Sequence, residues 1–200
     1  MVQTLYGNVV TNADVRKAVR DTIVTWADVY IDEMARQLGM PLLPLRTFGQ
    51  FGGAAGYPQD KVPGCVIVAP GILGAPERQG GGKLNAIWGV GVGIVVADVT
   101  HDAAVARAEP YGAALRALLV QQGSLGGFAQ ETTWIDEETV PLTYERDRVV
   151  AASSLHFEVL VEDVLDRWGG PKTAPGDPTV PLYAGEAVTV TPTLERLRPP

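Results

Sequence analysis

The sequence predicts an α+β fold: a mostly antiparallel four- to five-stranded sheet covered by two helices, with an extended Pro-rich C-terminal arm. Three observations predict it. Two stretches, 12–38 and 103–122, carry apolar residues at spacings of three and four, the period of a helix with one buried face. Two others, 84–97 and 149–161, alternate large apolar residues with small or polar ones, as strands do in a sheet wetted on one side. From Gly169 the composition changes, and seven of the fifteen prolines fall in the last 32 residues, where no helix can form. The chain therefore divides into a domain over 1–168 and an arm over 169–200. A chain of 200 residues buries enough surface to fold without a metal or disulfide staple.

The first helix is expected from an N-cap at Asn12 to Gly39, which suits the left-handed position that ends a helix. Its apolar stripe is Val15, Val19, Ile23, Trp26, Tyr30, Met34 and Leu38, with Arg16, Lys17, Asp21 and Asp28 largely off it. Proline and glycine then punctuate a loop over Gly49–Asp60. The run Val62–Ala69 (VPGCVIVA) reads as a short buried strand bounded by Pro63 and Pro70. A long hairpin connection, Gly71–Lys83, carries the triplet Gly80, Gly81, Gly82.

In the next strand Leu84, Ala86, Trp88, Val90, Val92, Ile94 and Val96 share one face. Gly89, Gly91 and Gly93 lie on the other, where another backbone or helix could approach. Thr100 or Asp102 caps a second helix, Ala103–Gln122, closed by Gly123 and striped by Val105, Ala108, Tyr111, Leu115, Leu118 and Leu119. Pro110 predicts a kink or break near Ala106–Glu109. A strand at Ala129–Trp134 follows, then an acidic turn at Asp136, Glu137 and Glu138. The closing strand, Val149–Val161, turns Ser154, His156 and Glu158 outward. Within the arm only Ala187–Thr191 has strand character.

The charge is −7, and sixteen scattered basic residues face twenty-three acids, which excludes a phosphate-gripping surface. Gly89–Gly93 spells GxGxG inside a strand, without the strand-to-helix setting of a dinucleotide fingerprint. His101 with Asp98 and Asp102 stands at a strand-to-helix junction, where short polar residues cap, and no second His or Cys group complements it. Ser153, Ser154 and His156 lack the strained elbow of a nucleophilic serine. Cys65, alone in an apolar run, reads as a core thiol. No catalytic, cofactor-binding or metal-ligating residue is assigned, and no cofactor is expected. The first residues lack the basic-then-apolar pattern of a signal peptide. The longest apolar stretch, Ala86–Ala97, is too short to span a bilayer as a helix, so synthesis in the cytoplasm is expected.

The arrangement resembles the tail terminator (tail completion) proteins of long-tailed bacteriophages. The resemblance rests on the helix Val15–Leu38, the hairpin around Cys65 and Leu84–Val99, the helix Ala103–Gln122 before a Trp134-bearing strand, and the closing segment Ala151–Val159. It covers residues 10–165, and the arm departs from the compact pattern. It implies a non-enzymatic virion protein at the tail–head junction. Such proteins form a six-fold ring that caps the tail tube, ends its polymerisation and joins it to the head connector. The implied partners are other copies of the chain, the tube protein and the head-completion protein, with DNA passing through unbound. Candidate interface residues are Gly80, Gly81, Gly82, Lys83, Asp136, Glu137 and Glu138 on loops, and Pro171, Pro175, Pro178 and Pro181 on the arm. The alternatives are another neck or adaptor component, or, from a different class, a small-ligand-binding module or small enzyme.

Overall fold

The computed structural model describes residues 9–49, 62–79, 82–145, 148–166, 173–174 and 177–181. Five strands form one sheet: β1 (Thr47–Gly49), β2 (Gly64–Arg78), β3 (Lys83–Asp98), β4 (Glu131–Glu145) and β5 (Arg148–Asp166). Their order is β1-β2-β3-β5-β4. Every neighbouring pair is antiparallel except β1 and β2. Helices α1 (Asn12–Leu38) and α2 (His101–Gln121) pack on each other and on one face of this sheet, α1 against β2 and α2 against β3, β4 and β5. The fold is the α+β arrangement that the periodicities predict. In the arm, β6 (Thr173–Ala174) and β7 (Asp177–Pro181) pair as a separate antiparallel ribbon. Ala187–Thr191 and most of the loop Gly49–Asp60 lie outside the described residues.

The core lies between the helices and the sheet. Val15, Ile23 and Ile31 of α1 and Tyr111, Leu115 and Leu118 of α2 meet Trp88, Val92 and Ile94 of β3 and Leu155, Phe157 and Val159 of β5. The strand faces follow the predicted alternation. A smaller cluster, Val95, Val150 and Ala152, sits on the sheet's other face.

Thr11, not Asn12, caps α1. The Asp14 N–H donates to Thr11 Oγ1 at 3.3 Å and the Thr11 N–H donates to Asp14 Oδ2 at 2.8 Å, a reciprocal capping box. Asn12 instead donates its side-chain amide to the Pro70 carbonyl at 3.0 Å, tying the helix start to β2. Gly39 ends the helix at φ 65°. The predicted stripe holds at Val15, Val19 and Ile23, which are buried, and at Tyr30 and Met34, which pack on the core half-buried, and it fails at two positions. Trp26 and Leu38 are exposed, while Ala27 and Ile31 are buried. A spacing of four advances the contact line by about 40° per step. The buried series Val15, Val19, Ile23, Ala27, Ile31 therefore winds around the helix as α1 meets both β2 and α2.

Four further expectations are corrected. The strand expected to stop at Pro70 runs on to Arg78, because the ladder slips between Val68 and Gly71 and again between Leu73 and Glu77, absorbing Pro70 and Pro76 in irregular pairing. Gly71–Lys83 is thus mostly the outer half of a hairpin, closed by the Gln79 N–H donating to the Lys83 carbonyl at 2.9 Å. Of the kink or break expected near Ala106–Glu109, the break does not occur, since helix α2 continues through Pro110, and its end is capped by Gln122 rather than Gly123. Pro110 has no N–H for the Ala106 carbonyl one turn before it, and Ala106 lies on the exposed side of α2, where the lost bond is least costly. The supposed acidic turn Asp136–Glu138 lies in mid-strand on β4. Strand β1, three residues in parallel pairing, has no sequence pattern of its own.

Candidate assembly surfaces

The sheet face away from the helices collects the outward side chains in rows set by the register. Leu73, Ile87 and Leu160 make one row, Val68, Gly91, His156 and Asp136 another, and Val66, Gly93, Ser154 and Glu138 a third. Two of the three glycines of β3 are overhung, while at Gly93 the nearest atom to an added Cβ is Val66 Cβ, 3.8 Å away. A Cβ on Gly91 would lie 2.8 Å from Val68 Cγ2, and one on Gly89 would lie 3.2 Å from Leu73 Cδ2. Side chains of β2 lean over Gly89 and Gly91 and fill the space there, which leaves Gly93 as the position where another backbone could come close. The middle of this face is small and polar, with Ser154, His156 and Glu158 on β5.

The three acids of β4 divide between the two faces. Asp136 Oδ1 is within hydrogen-bonding contact of His156 Nδ1 across the ladder, both side chains more than half exposed. Glu137 turns toward the helices, where Arg116 Nη1 lies 2.5 Å from Oε2 and the Ser153 hydroxyl donates to Oε1 at 3.4 Å. Glu138 is exposed opposite Ser154. They are therefore not a set of hydrated loop carboxylates. The Arg116 guanidinium also covers the Trp134 ring at 4.9 Å, and Trp134 Nε1 donates to the Asp136 carbonyl at 3.0 Å.

Ile135 stands between these anchors. Trp134 pairs with Phe157 and Asp136 with His156, which leaves Ile135 as the extra residue of a bulge on the free edge of the sheet. It is 49% exposed. At the opposite edge, α1 and β1 bound a groove of about 300 Å³. Phe48, Gly49 and Ile67 line it together with Ala13, Arg16, Lys17 and Arg20. Sequence reading missed this groove because β1 is invisible in the pattern and the basic residues look like an ordinary wet helix face.

The other predicted interface residues are dispersed. Gly82, at φ 80°, opens the return of the β2–β3 hairpin, and Lys83 beside it pairs with Asp163. Gly80, Gly81, Pro171 and Pro175 lie outside the described residues, while Pro178 and Pro181 belong to β7. Of the residues weighed for chemistry, Cys65 is fully buried and its thiol is pushed up to about 12 by desolvation. Asp98 accepts from the Val99 N–H at 2.7 Å and pairs with Arg107 at 3.1 Å, while Thr100 caps α2. Among the described residues no three His, Cys, Asp or Glu side chains gather as metal ligands. No described helix is long and apolar enough to cross a membrane.

No protein-family model matches the chain, and no curated protein does. Among solved structures, the chain is similar to a component of the "Virion of native gene transfer agent (GTA) particle", at 12% identity and a TM-score of 0.40. The likeness spans 68% of this chain and 91% of that one, and it is too distant to assign a role.

Proposed function

We propose that this chain is a structural subunit of a phage-like virion that works by self-assembly, forming a ring that caps the tail tube and joins it to the head connector. One observation carries the reading. Both helices cover one face of the sheet, and the other face presents a band of glycine, serine and exposed carboxylate between two sheet edges of different character. Turned toward a channel, Glu158 and Glu162, with Asp136 and Glu138 at the border, repel phosphates, so DNA slides past without sticking. Subunits in such a ring do no chemistry and hold no cofactor. Their partners are other copies of the chain, the tube protein and a head-completion protein, and the arm 169–200 supplies further contacts.

Negative-stain imaging of the purified protein tests this directly. Annular particles with a central opening are expected, and a map of them should place the acidic sheet face toward the channel. Particles without an opening, or a channel lined by lysine and arginine, would contradict it.

A further inference from the structure

We infer that residues 194–198 in the arm of one copy dock on the β4 edge of a neighbouring copy. Their leucines meet the Trp134–Ile135 step, and their arginines meet the carboxylates beside it. This rests on the ring reading above and names one contact that holds the ring together.

The receiving surface is an apolar step flanked by carboxylates that no cation neutralises. β4 is the outermost strand of the sheet, so one of its sides has no strand beside it. At the bulge Trp134 is 41% exposed and Ile135 49%, two large side chains next to each other on that edge. The Arg116 guanidinium over the indole ring, and the indole N–H donated to the Asp136 carbonyl, hold Trp134 in place before any partner arrives. Arg116 is itself matched by Glu137, so it adds no free charge to the edge. Glu131 lies three residues before Trp134, and Glu138 three after Ile135. Both are exposed, and neither meets a cation among the described residues. Such a surface selects a partner that is apolar and cationic at once, with charge steering and apolar side chains holding.

The arm carries that chemistry. Residues 194–198, outside the described part of the chain, read Leu-Glu-Arg-Leu-Arg, two leucines and two arginines against one glutamate, between Pro192 and Pro199. Prolines restrict the backbone beforehand, which lowers the entropy lost on docking. The twelve residues 182–193 join this segment to Pro181, the end of the β6–β7 ribbon. At about 3.3 Å per residue they span up to ~40 Å. The radius of gyration of a domain this size is about 15 Å, so the segment reaches a neighbouring copy. The step stays open in the single chain, which points to another copy's arm as the occupant. Arm and edge are unlike surfaces of identical chains, so the contact is heterologous and propagates to a ring or a filament.

Cysteine pairing in the full chain tests it, using the variants Ile135→Cys and Leu197→Cys. Cys65 is fully buried and does not compete. Mixed and treated with oxidised glutathione, the two variants are expected to give a covalent dimer well above the yield of either alone. A chain carrying both substitutions is expected to give a ladder of multiples. A cooperative thermal transition in each variant is the control for folding. Charge exchange tests the same contact independently. Glu131→Arg with Glu138→Arg is expected to lose assembly at concentrations where the unaltered chain assembles, and adding Arg196→Glu with Arg198→Glu to the same chain is expected to restore it. Annular particles with no mixed dimer above background would overturn this contact and leave the ring reading standing. Links closed inside single chains, in place of the ladder, would overturn it too. So would assembly that the Glu131→Arg, Glu138→Arg chain retains in full. Mixed dimers without annular particles would support the contact and overturn the ring. Chains that neither link nor form rings would overturn both.

Discussion

Gly112 lets α2 rest directly on Ser153 and Glu137 of the sheet. A Cβ there would lie 2.6 Å from Glu137 Oε1 and 3.1 Å from Ser153 Cβ, and Ser153 is fully buried. Alanine favours a helix by roughly 0.5–1 kcal/mol over glycine, but overpacking a core costs about 1–3 kcal/mol. Gly112→Ala should therefore lower the urea midpoint. Gly91→Ala should cost less, because the Val68 side chain that it meets is 43% exposed and free to turn away. The reverse order of the two midpoints would show that α2 does not rest on Ser153.

Asp14 gives a pH signature at the same scale. The Thr11 hydroxyl and backbone N–H, bonded to its carboxylate, hold it below its ordinary value of 3.8. A carboxyl lowered on folding stabilises the fold above its unfolded pKa, and that contribution fades as pH falls through the lower, folded value. Asp14→Asn should accordingly flatten the loss of thermal stability between about pH 4 and about pH 2. An unchanged acid limb would mean that the capping box does not persist in solution.

At the level of elements, periodicity revealed what packing enforces along one direction. Strand β3 was legible because Trp88, Val90, Val92 and Ile94 meet the helices at every second residue, and all are buried. Trp88→Ala should cost about 3–5 kcal/mol. Trp88→Phe should cost much less, because the indole N–H is buried with no acceptor among the described residues and phenylalanine removes that donor. Equal losses would place the indole N–H in a bond that the fold does not show.

Where two elements share a helix, the stripe drifts, and Trp26 was misplaced for that reason while Val15, Val19 and Ile23 were not. Proline misled twice. In β2 irregular pairing took Pro70 and Pro76 into the strand, and in α2 the carbonyl that Pro110 deprives of a donor belongs to exposed Ala106. The acids of β4 looked like a turn because local composition does not reveal Arg116, His156 and Ser153, which come from α2 and β5. The groove by β1 was illegible for a related reason. Its two walls are distant in sequence, and one is a strand of three residues.

For the whole molecule, the strand order decides what kind of assembly is available. An open sheet with β1 at one edge and β4 at the other has two unlike ends, so copies that join end to end build rings or filaments rather than isolated pairs. In the proposed ring the sheet face opposite the helices would line the opening, and its outward glutamates suit a passage for nucleic acid better than a site that grips it. The measurement that tests this most directly is the solution mass of the purified chain by light scattering over a range of concentrations. A mass that plateaus at a fixed integer multiple of 21.2 kDa, three or more, is predicted. A mass that stays at 21.2 kDa at every concentration, or stops at twice that value, would contradict it.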